Sequence, residues 1–454
     1  MTAQAEDGGD SASTTIDPRR AVSIFAVLAA MALVVTDAGG TNLSLPSIAA
    51  SFHTSASTAI LVVTAYQLAV VMALLPSAAL GERFGLRRVF AAGVITFTVA
   101  ALMAASSASL PQLLLARFIQ GLGASAILAL GVALLRATVS ERLLAAAIGW
   151  NAMNVALAAA AGPALAAVIL SNFSWNWLFF FELPLSALVL LASPALPLVA
   201  SSSQRTDYLS IALNFAAFGL LIFGINIAAL HALAATCVLL ASALAFATLI
   251  AREADHSRPL LPLDLLAVAS FRSSILVSTL SFVGQTAGLI ALPFHLQGNL
   301  GLSPSLSGLY LTVWPLSVAG TAFVAGRLSR WANSSALCAL GAALLALGMF
   351  GVAVWPAANP VMIVPFLVAS GIGFALFQVA NNRNMLLAAP MTRSGAAGGM
   401  QGTARLLGQA GGAALVAQIF AAFPLSAAPH LTMRVAAVFA LAASAVSVFR
   451  AIKP

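Results

Sequence analysis

The amino-acid sequence predicts an all-α protein that crosses a membrane many times. The chain has 454 residues, of which 61% are hydrophobic and only 7% are charged, whereas soluble proteins carry roughly a quarter charged residues. The mean hydropathy is +1.03. Apolar runs of about 20 residues, the length that spans a bilayer, recur from Ala21 almost to the end of the chain. Together these observations exclude a soluble globular fold.

Fourteen apolar segments are predicted to form transmembrane helices. In chain order they cover about residues 21–43, 57–80, 89–107, 110–135, 143–170, 177–199, 209–229, 232–250, 273–297, 304–326, 334–355, 360–386, 395–423 and 431–450. The loops between successive spans alternate between basic and uncharged. Of the 20 basic residues, 17 lie in the basic loops and at the termini, all on one side of the membrane, and the three exceptions are Arg117, Arg405 and Arg434. Because basic loops mark the cytoplasmic side, both termini are predicted to be cytoplasmic.

The order of the spans predicts two helical bundles with an insertion between them. Residues 1–20 are polar and acidic, which indicates a disordered cytoplasmic tail. Residues 21–200 and 271–454 each hold six spans. Residues 201–270 hold an inserted transmembrane hairpin, for which a scaffold or lipid-facing role is expected, and a cytoplasmic linker. Two such bundles around a site at the membrane midplane are typical of secondary transporters.

Several function classes lack the residues that they need. Lys453 is the only lysine, so the chain has no Walker A loop and an ATP-driven pump is excluded. The histidines are scattered and no metalloprotease or serine hydrolase motif occurs, so we expect no metal site and no enzyme. Cys237 and Cys338 lie in apolar segments and indicate no disulfide. The dispersed basic residues read as topology signals, so no nucleic-acid partner is expected.

Two acidic residues lie inside predicted spans. A charged carboxylate in lipid is costly, so Asp37 should face a cavity or carry a proton. It is predicted to be a proton or cation site, the alternative being a helix-packing residue bonded to Asn42 or a serine. Glu182 lies nearer the outer interface. It is either a second proton or cation site, or a solvated residue beside an aromatic belt formed by Trp175 and Trp177.

Basic residues and glycines inside the spans add further candidates. Arginine can form paired bonds to a carboxylate, so Arg117 is either a partner that tunes the proton site or a structural clamp, and the same alternatives hold for Arg405. Gly121, Gly162 and Pro163 would permit close crossing or bending of helices. These three residues could serve gating or tight packing.

Aromatic and amide side chains are candidates for the lining of a substrate cavity. The faces of aromatic rings attract quaternary ammonium cations, and amide groups supply hydrogen bonds. The candidates are Tyr66, Gln67, Phe282, Gln285, Phe294, Tyr310, Trp314, Phe377, Gln378, Asn381 and Arg405.

Motifs in the first half resemble the major facilitator superfamily, and within it the fourteen-helix drug:proton antiporters. Asp37, Asn42 and Pro46 keep the spacing of that family's first-helix motif. Residues 115–121, including Arg117 and Gly121, are similar to its fourth-helix motif. Gly162-Pro163 keeps the core of its fifth-helix motif.

The loop over residues 80–88 resembles the cytoplasmic signature of the same superfamily. Glu82, Arg83, Gly85 and Arg87 stand at its charged and turn positions, with Glu82 in place of the usual aspartate. The resemblance implies that these residues take part in gating between the two bundles.

Segments of the second half resemble one subgroup of the family more closely. Residues 259–265, 292–297, 381–383 and 402–409 are similar to the bacterial exporters of methyl viologen and quaternary ammonium compounds. The resemblance implies a multi-pass protein of the bacterial cytoplasmic (inner) membrane that acts in multidrug efflux and antibiotic resistance. It also implies use of the proton gradient and no cofactor.

The expected function is therefore proton-coupled secondary active efflux of organic cations by alternating access, with Asp37, Glu182 and Arg117 in the coupling. Its expected partners are small-molecule drugs, protons and the lipid bilayer, and the protein is expected to be a monomer. One alternative is a dedicated exporter of an endogenous, anionic metabolite with Arg405 as the ligand. A passive facilitator or a membrane receptor forms a third class.

Overall fold

The structure is a computed structural model, and it describes residues 17–199, 207–228, 231–253, 263–355, 359–390 and 393–452. Within these ranges the chain is built from helices. They are α1 (Pro18–Ser51), α2 (Ala56–Phe84), α3 (Leu86–Ala105), α4 (Leu110–Thr138), α5 (Glu141–Asn172), α6 (Trp177–Phe180), α7 (Glu182–Ala192), α8 (Tyr208–Ile227), α9 (Ala232–Glu253), α10 (Leu263–Ala267), α11 (Ala269–Phe294), α12 (Pro304–Trp331), α13 (Ser334–Val354), α14 (Val364–Ala388), α15 (Ser394–Ala422) and α16 (Ala428–Ile452).

Thirteen helical segments of the described ranges are long and apolar enough to cross a membrane. The segment Trp177–Ala195, which contains α6 and α7, counts as one of them. The remaining predicted span, about 395–423, corresponds to α15, a helix of 29 residues. Arg405 and the glutamines of α15 lower its hydropathy. A fourteenth crossing therefore stays a prediction.

The amino-terminal end of the chain differs from its prediction as a disordered tail. Helix α1 begins at Pro18, and the side chain of Asp17 caps it by accepting a hydrogen bond from the backbone N–H of Arg19 at 3.2 Å. Arg19 and Arg20 are therefore helical. Residues 1–16 lie outside the described part of the chain, as do residues 254–262 of the predicted linker and Lys453.

The helices pack as two bundles, which we name the N-terminal bundle (α1–α7) and the C-terminal bundle (α11–α16). In the N-terminal bundle, α2 and α3 pack on α4, and α1 packs on α4, α5 and α7. In the C-terminal bundle, α13 packs on α14 and α16, and α11 packs on α15 and α16. Two pairs of helices, α2 with α15 and α5 with α12, join the bundles along opposite seams.

The inserted hairpin of α8 and α9 lies against one of these seams. Helix α8 contacts both α2 and α15. The side-chain amide of Asn214 donates to the Met72 carbonyl oxygen of α2 at 2.8 Å, and the amide of Gln418 in α15 donates to the carbonyl oxygen of Asn226. The hairpin is therefore bonded to both bundles.

Candidate functional site

A buried ion pair lies in the middle of the N-terminal bundle. Asp37 of α1 is 4% exposed and Arg117 of α4 is 1% exposed. Arg117 Nη1 donates to Asp37 Oδ1 at 2.6 Å, and the Thr41 hydroxyl donates to the same oxygen at 3.3 Å. The pairing places a counter-ion beside each charge, because a single charge surrounded by apolar helices is costly. Asn42, which the sequence suggested as a partner for Asp37, does not make this contact.

Gln120, one turn after Arg117 on α4, extends the ion pair into a chain of polar side chains. Its Oε1 accepts a hydrogen bond from Arg117 Nη1 at 2.7 Å, and its Nε2 donates to Glu182 Oε2 at 2.9 Å. Gln120 is not among the site residues predicted from the sequence. The signal that could have found it is its spacing of three residues from Arg117, which places both on one face of the helix.

Glu182 is buried. Of the two alternatives predicted for it, the solvated residue at the interface is therefore wrong. Glu182 is 8% exposed and is the first residue of α7. A break at Phe181 separates α6 from α7, and a carboxylate at a helix amino terminus is favoured by the free N–H groups there.

Two aromatic rings hold the guanidinium of Arg117. Its Cζ lies 4.4 Å from the centroid of the Tyr66 ring and 5.4 Å from that of Phe179. Such cation–π contacts stabilise a cation away from water. Tyr66 was predicted to line a substrate cavity, and the structure places its ring in this buried cluster.

The cluster holds one guanidinium and two carboxyl groups. With both carboxyls ionised it carries one net negative charge, which either a proton or a second cation can neutralise. Asp37 Oδ2 is buried and accepts no hydrogen bond from the residues that the structure describes. The cluster thus has the composition needed to exchange a proton for another cation.

Close packing of α1 on α5 supports the cluster. A carbon added at Gly162 would lie 2.8 Å from the Thr36 carbonyl oxygen, and one added at Gly39 would lie 2.9 Å from Cδ of Pro163. A carbon at Gly121 would lie 2.8 Å from a side chain of α2. These separations are too short for a side chain, so the glycines let the helices approach. A gating role for Gly121, Gly162 and Pro163 stays a prediction.

The loop of the predicted gate joins α2 to α3. Gly85 has φ +97°, a backbone conformation that favours glycine. Glu82 is exposed, and Arg83 and Arg87 are partly buried. The Arg83 guanidinium carbon lies 5.5 Å from the ring centroid of Tyr208, the first residue of α8. This loop therefore contacts the inserted hairpin.

The remaining candidates for a cavity lining divide by burial. Buried in the C-terminal bundle are Phe282, Phe294, Trp314, Phe377 and Asn381. The partly exposed candidates are Gln67, Gln285, Tyr310, Gln378 and Arg405. The Asn381 amide donates to the Ser274 carbonyl oxygen at 2.9 Å, which is a packing contact between α14 and α11. A role for either set in a substrate cavity stays a prediction.

Comparison with known proteins relates the chain to membrane transporters. Residues 27–413 match the family model of the Major Facilitator Superfamily. The uncharacterized transporter YebQ of Escherichia coli (strain K12) is 39% identical over 445 residues, which cover 96% of this chain and 97% of YebQ. The multidrug efflux pump LfrA of Mycolicibacterium smegmatis is 30% identical, and the matched region covers 90% of this chain and 83% of LfrA. The riboflavin transporter RibZ of Clostridioides difficile is 27% identical, with 84% of each chain covered.

A solved structure shares the architecture. The crystal structure of a peptide transporter, POT, in complex with sulfate superimposes with a TM-score of 0.73 over 95% of this chain and 94% of its own, at 14% sequence identity. At this identity the likeness concerns the fold alone. The relatives and the fold indicate a transporter rather than an enzyme. The match to the family model extends over most of the chain, and the chain therefore belongs to the Major Facilitator Superfamily.

Proposed function

We propose that this protein is a proton-coupled exporter of organic cations in the bacterial cytoplasmic membrane. In this proposal α15 is the fourteenth crossing, both termini are cytoplasmic, and the two bundles alternate between inward and outward openings about their seams. The observation that carries the proposal is the buried cluster of Asp37, Arg117 and Glu182, in which Asp37 pairs with Arg117 and Glu182 is linked to Arg117 through Gln120. The kinship with LfrA, which is named a multidrug efflux pump, supports the export of drugs.

The cluster couples the two cations by competition. An organic cation enters from the cytoplasmic side while the carboxyl groups hold a net negative charge. On the outer side, a proton neutralises one carboxyl group and the organic cation leaves. Exchange of one proton for a monovalent cation is electroneutral, so only the pH gradient drives it, with about 1.4 kcal/mol per pH unit. A second proton would add the membrane potential, about 2.3 kcal/mol per 100 mV.

The test is uptake of a fluorescent quaternary ammonium cation into inverted membrane vesicles under an imposed pH gradient. Uptake by the wild type that is lost in Asp37→Asn supports the proposal. Asp264→Asn is the matched control, because Asp264 lies on α10 and pairs with Arg393 at 2.6 Å, away from the cluster. Uptake by Asp37→Asn equal to that of the wild type would remove Asp37 from the coupling.

A dedicated exporter of an anionic metabolite is the second candidate. Arg405 lies inside α15, and within the described residues its Nε has no hydrogen-bond partner. An anionic substrate would supply the missing acceptor. The relative RibZ is named a riboflavin transporter, which shows how broad the family's substrates are. Vesicles that ignore the cationic dye but take up organic anions, with loss in Arg405→Gln, would favour this candidate.

A further inference from the structure

A cleft on the side of the N-terminal bundle leads to the buried carboxyl groups. It lies between α5 and α7, has a volume of about 160 Å³, and has α1 as its floor. Asp37 lies on the floor and Glu182 on one wall, while Leu165 of α5 and Phe181 line it farther out. Both carboxyl groups of the cluster therefore border the same cavity.

The cleft exists because α5 and α7 both pack on α1 while small residues leave the space between them unfilled. Gly40 of α1 and Gly162 of α5 line this space. Neither has a side chain that could close it. The close crossing of α1 and α5 at Gly162 holds the floor and one wall together.

The cleft opens toward the lipid. Its outer residues Leu165 and Phe181 are 53% and 54% exposed, and the neighbouring Val168 and Leu188 are 63% and 52% exposed. All four are apolar, as expected for side chains in contact with lipid. Helix α7 packs on α1 and α3 within its own bundle, and α5 meets the other bundle at α12. The mouth of the cleft is therefore at the periphery, away from the seams between the bundles.

The floor of the cleft has one carboxylate oxygen in need of a partner. Arg117 and Thr41 both bond to Asp37 Oδ1, whereas Oδ2 is buried and accepts no hydrogen bond from the described residues. A buried acceptor without a partner is unfavourable. A cationic group at the floor would place a positive charge against Oδ2 and balance the net negative charge of the cluster, even where, as in a quaternary ammonium, it has no N–H to donate. An apolar chain attached to it would suit the rim.

We propose that this cleft is a lateral entrance that takes lipophilic ammonium cations directly from the bilayer. The cationic head contacts Asp37 Oδ2 and Glu182, and the apolar tail lies between Leu165 and Phe181. This proposal rests on the proposed function, because it names the route by which one class of exported cation reaches the coupling cluster. The occupant is a cation dissolved in the membrane and not the headgroup of a membrane lipid.

Binding to the purified full-length protein in nanodiscs of phosphatidylglycerol tests the proposal. This lipid has no ammonium group and cannot occupy the cleft in the same way. The probes are dodecyltrimethylammonium and tetramethylammonium, which share a head and differ in the tail. Leu165→Trp fills the mouth of the cleft, and Val168→Trp is the matched control, because Val168 is equally lipid-exposed on α5 but does not line the cavity.

The expected result is a dissociation constant for dodecyltrimethylammonium that rises about tenfold, equivalent to about 1.4 kcal/mol, in Leu165→Trp. The Val168→Trp variant should bind as the wild type does, and the affinity for tetramethylammonium should be equal in all three proteins. Wild-type affinity in Leu165→Trp, an equal loss in Val168→Trp, or no binding of the long-chain cation by the wild type would each overturn the proposal.

The vesicle assay separates this proposal from the proposed function. Loss of pH-driven transport in Asp37→Asn, together with wild-type binding in Leu165→Trp, would overturn the entrance and leave the exporter intact. Tight binding that is weakened by Leu165→Trp, without pH-driven transport by the wild type, would support the entrance and overturn proton-coupled export.

Discussion

Arg117 and Asp37 are 80 residues apart in the chain, yet Arg117 Nη1 lies 2.6 Å from Asp37 Oδ1. Both residues are almost completely buried. Each charge therefore depends on the other for its place inside the bundle. Because the pair joins α1 to α4, the position of one helix is tied to the ionisation of a residue on the other.

The two members of this pair should be coupled in stability. Arg117→Gln or Asp37→Asn alone leaves the other member of the pair buried without its bonded partner, which costs about 3–5 kcal/mol. The double variant removes both charges and should recover part of that loss. Thermal unfolding of the four purified proteins measures the coupling. Losses that simply add in the double variant would show that the pair is not an energetic unit.

Gln120→Leu should break the link between Arg117 and Glu182. The substitution leaves both charged groups short of one hydrogen bond, with an expected loss of about 1–3 kcal/mol. Gln112→Leu is the control, because Gln112 is an exposed glutamine on the same helix whose side chain accepts a single bond, from the Ala108 N–H. Equal unfolding temperatures for the two variants would argue against the role of Gln120.

Glu182→Gln should reduce export of dications more than export of monocations. If Glu182 carries a second proton, its loss removes the contribution of the membrane potential, about 2.3 kcal/mol per 100 mV. Export of a dication should then fall, while export of a monocation persists. The measurement is transport of both cations at a set pH gradient, with and without an imposed potential. Equal retention of both activities would exclude a second proton site at Glu182.

Gly162→Ala should disturb the crossing of α1 and α5. The added carbon would lie 2.8 Å from the Thr36 carbonyl oxygen, so the helices must separate, and both stability and transport should fall. Gly149→Ala on the same helix is the control, since a carbon there meets no atom within 4 Å. That variant should be neutral or slightly stabilising, because alanine favours a helix over glycine. Unfolding temperatures that rank the variants the other way would contradict the packing role.

Asp207 and Arg252 should give the inserted hairpin a pH-dependent stability. They lie 2.7 Å apart, and the bond from Arg252 lowers the pKa of the Asp207 carboxyl below its ordinary value. The contribution is complete above the unfolded-state pKa of about 3.9 and is lost as pH falls through the lower pKa of the folded protein. The contribution is small, because the pair is exposed to solvent, which screens its charges.

Hydrogen exchange of the amides of α8 measures this effect. The Asp207→Asn variant should exchange faster than the wild type at pH 7, and the difference should shrink as pH falls below about 4. An undiminished difference at low pH would mean that the carboxylate charge is not its source.

The sequence alone was sufficient to locate the helices and the charged candidates. Spans such as 110–135 were visible because an apolar run of that length has a favourable transfer free energy wherever it folds. Asp37, Arg117 and Glu182 were visible because charged residues inside such runs are costly and therefore rare. Both signals depend on residue type and depth in the membrane, and both can be recognised without knowing which residues lie nearby in the folded protein.

Only the tertiary structure decided which of these groups meet. Arg117 and Arg405 look alike in the sequence, yet only Arg117 pairs with a carboxylate among the described residues. Gln120 gave no signal of its own, and Trp314 proved to be buried. The physical reason is that pairing and burial depend on how helices distant in the chain cross, which at Gly39 and Gly162 is set by backbone contact. The type of a single residue predicts that its charge is costly inside the membrane, but the packing of the helices determines which group pairs with that charge.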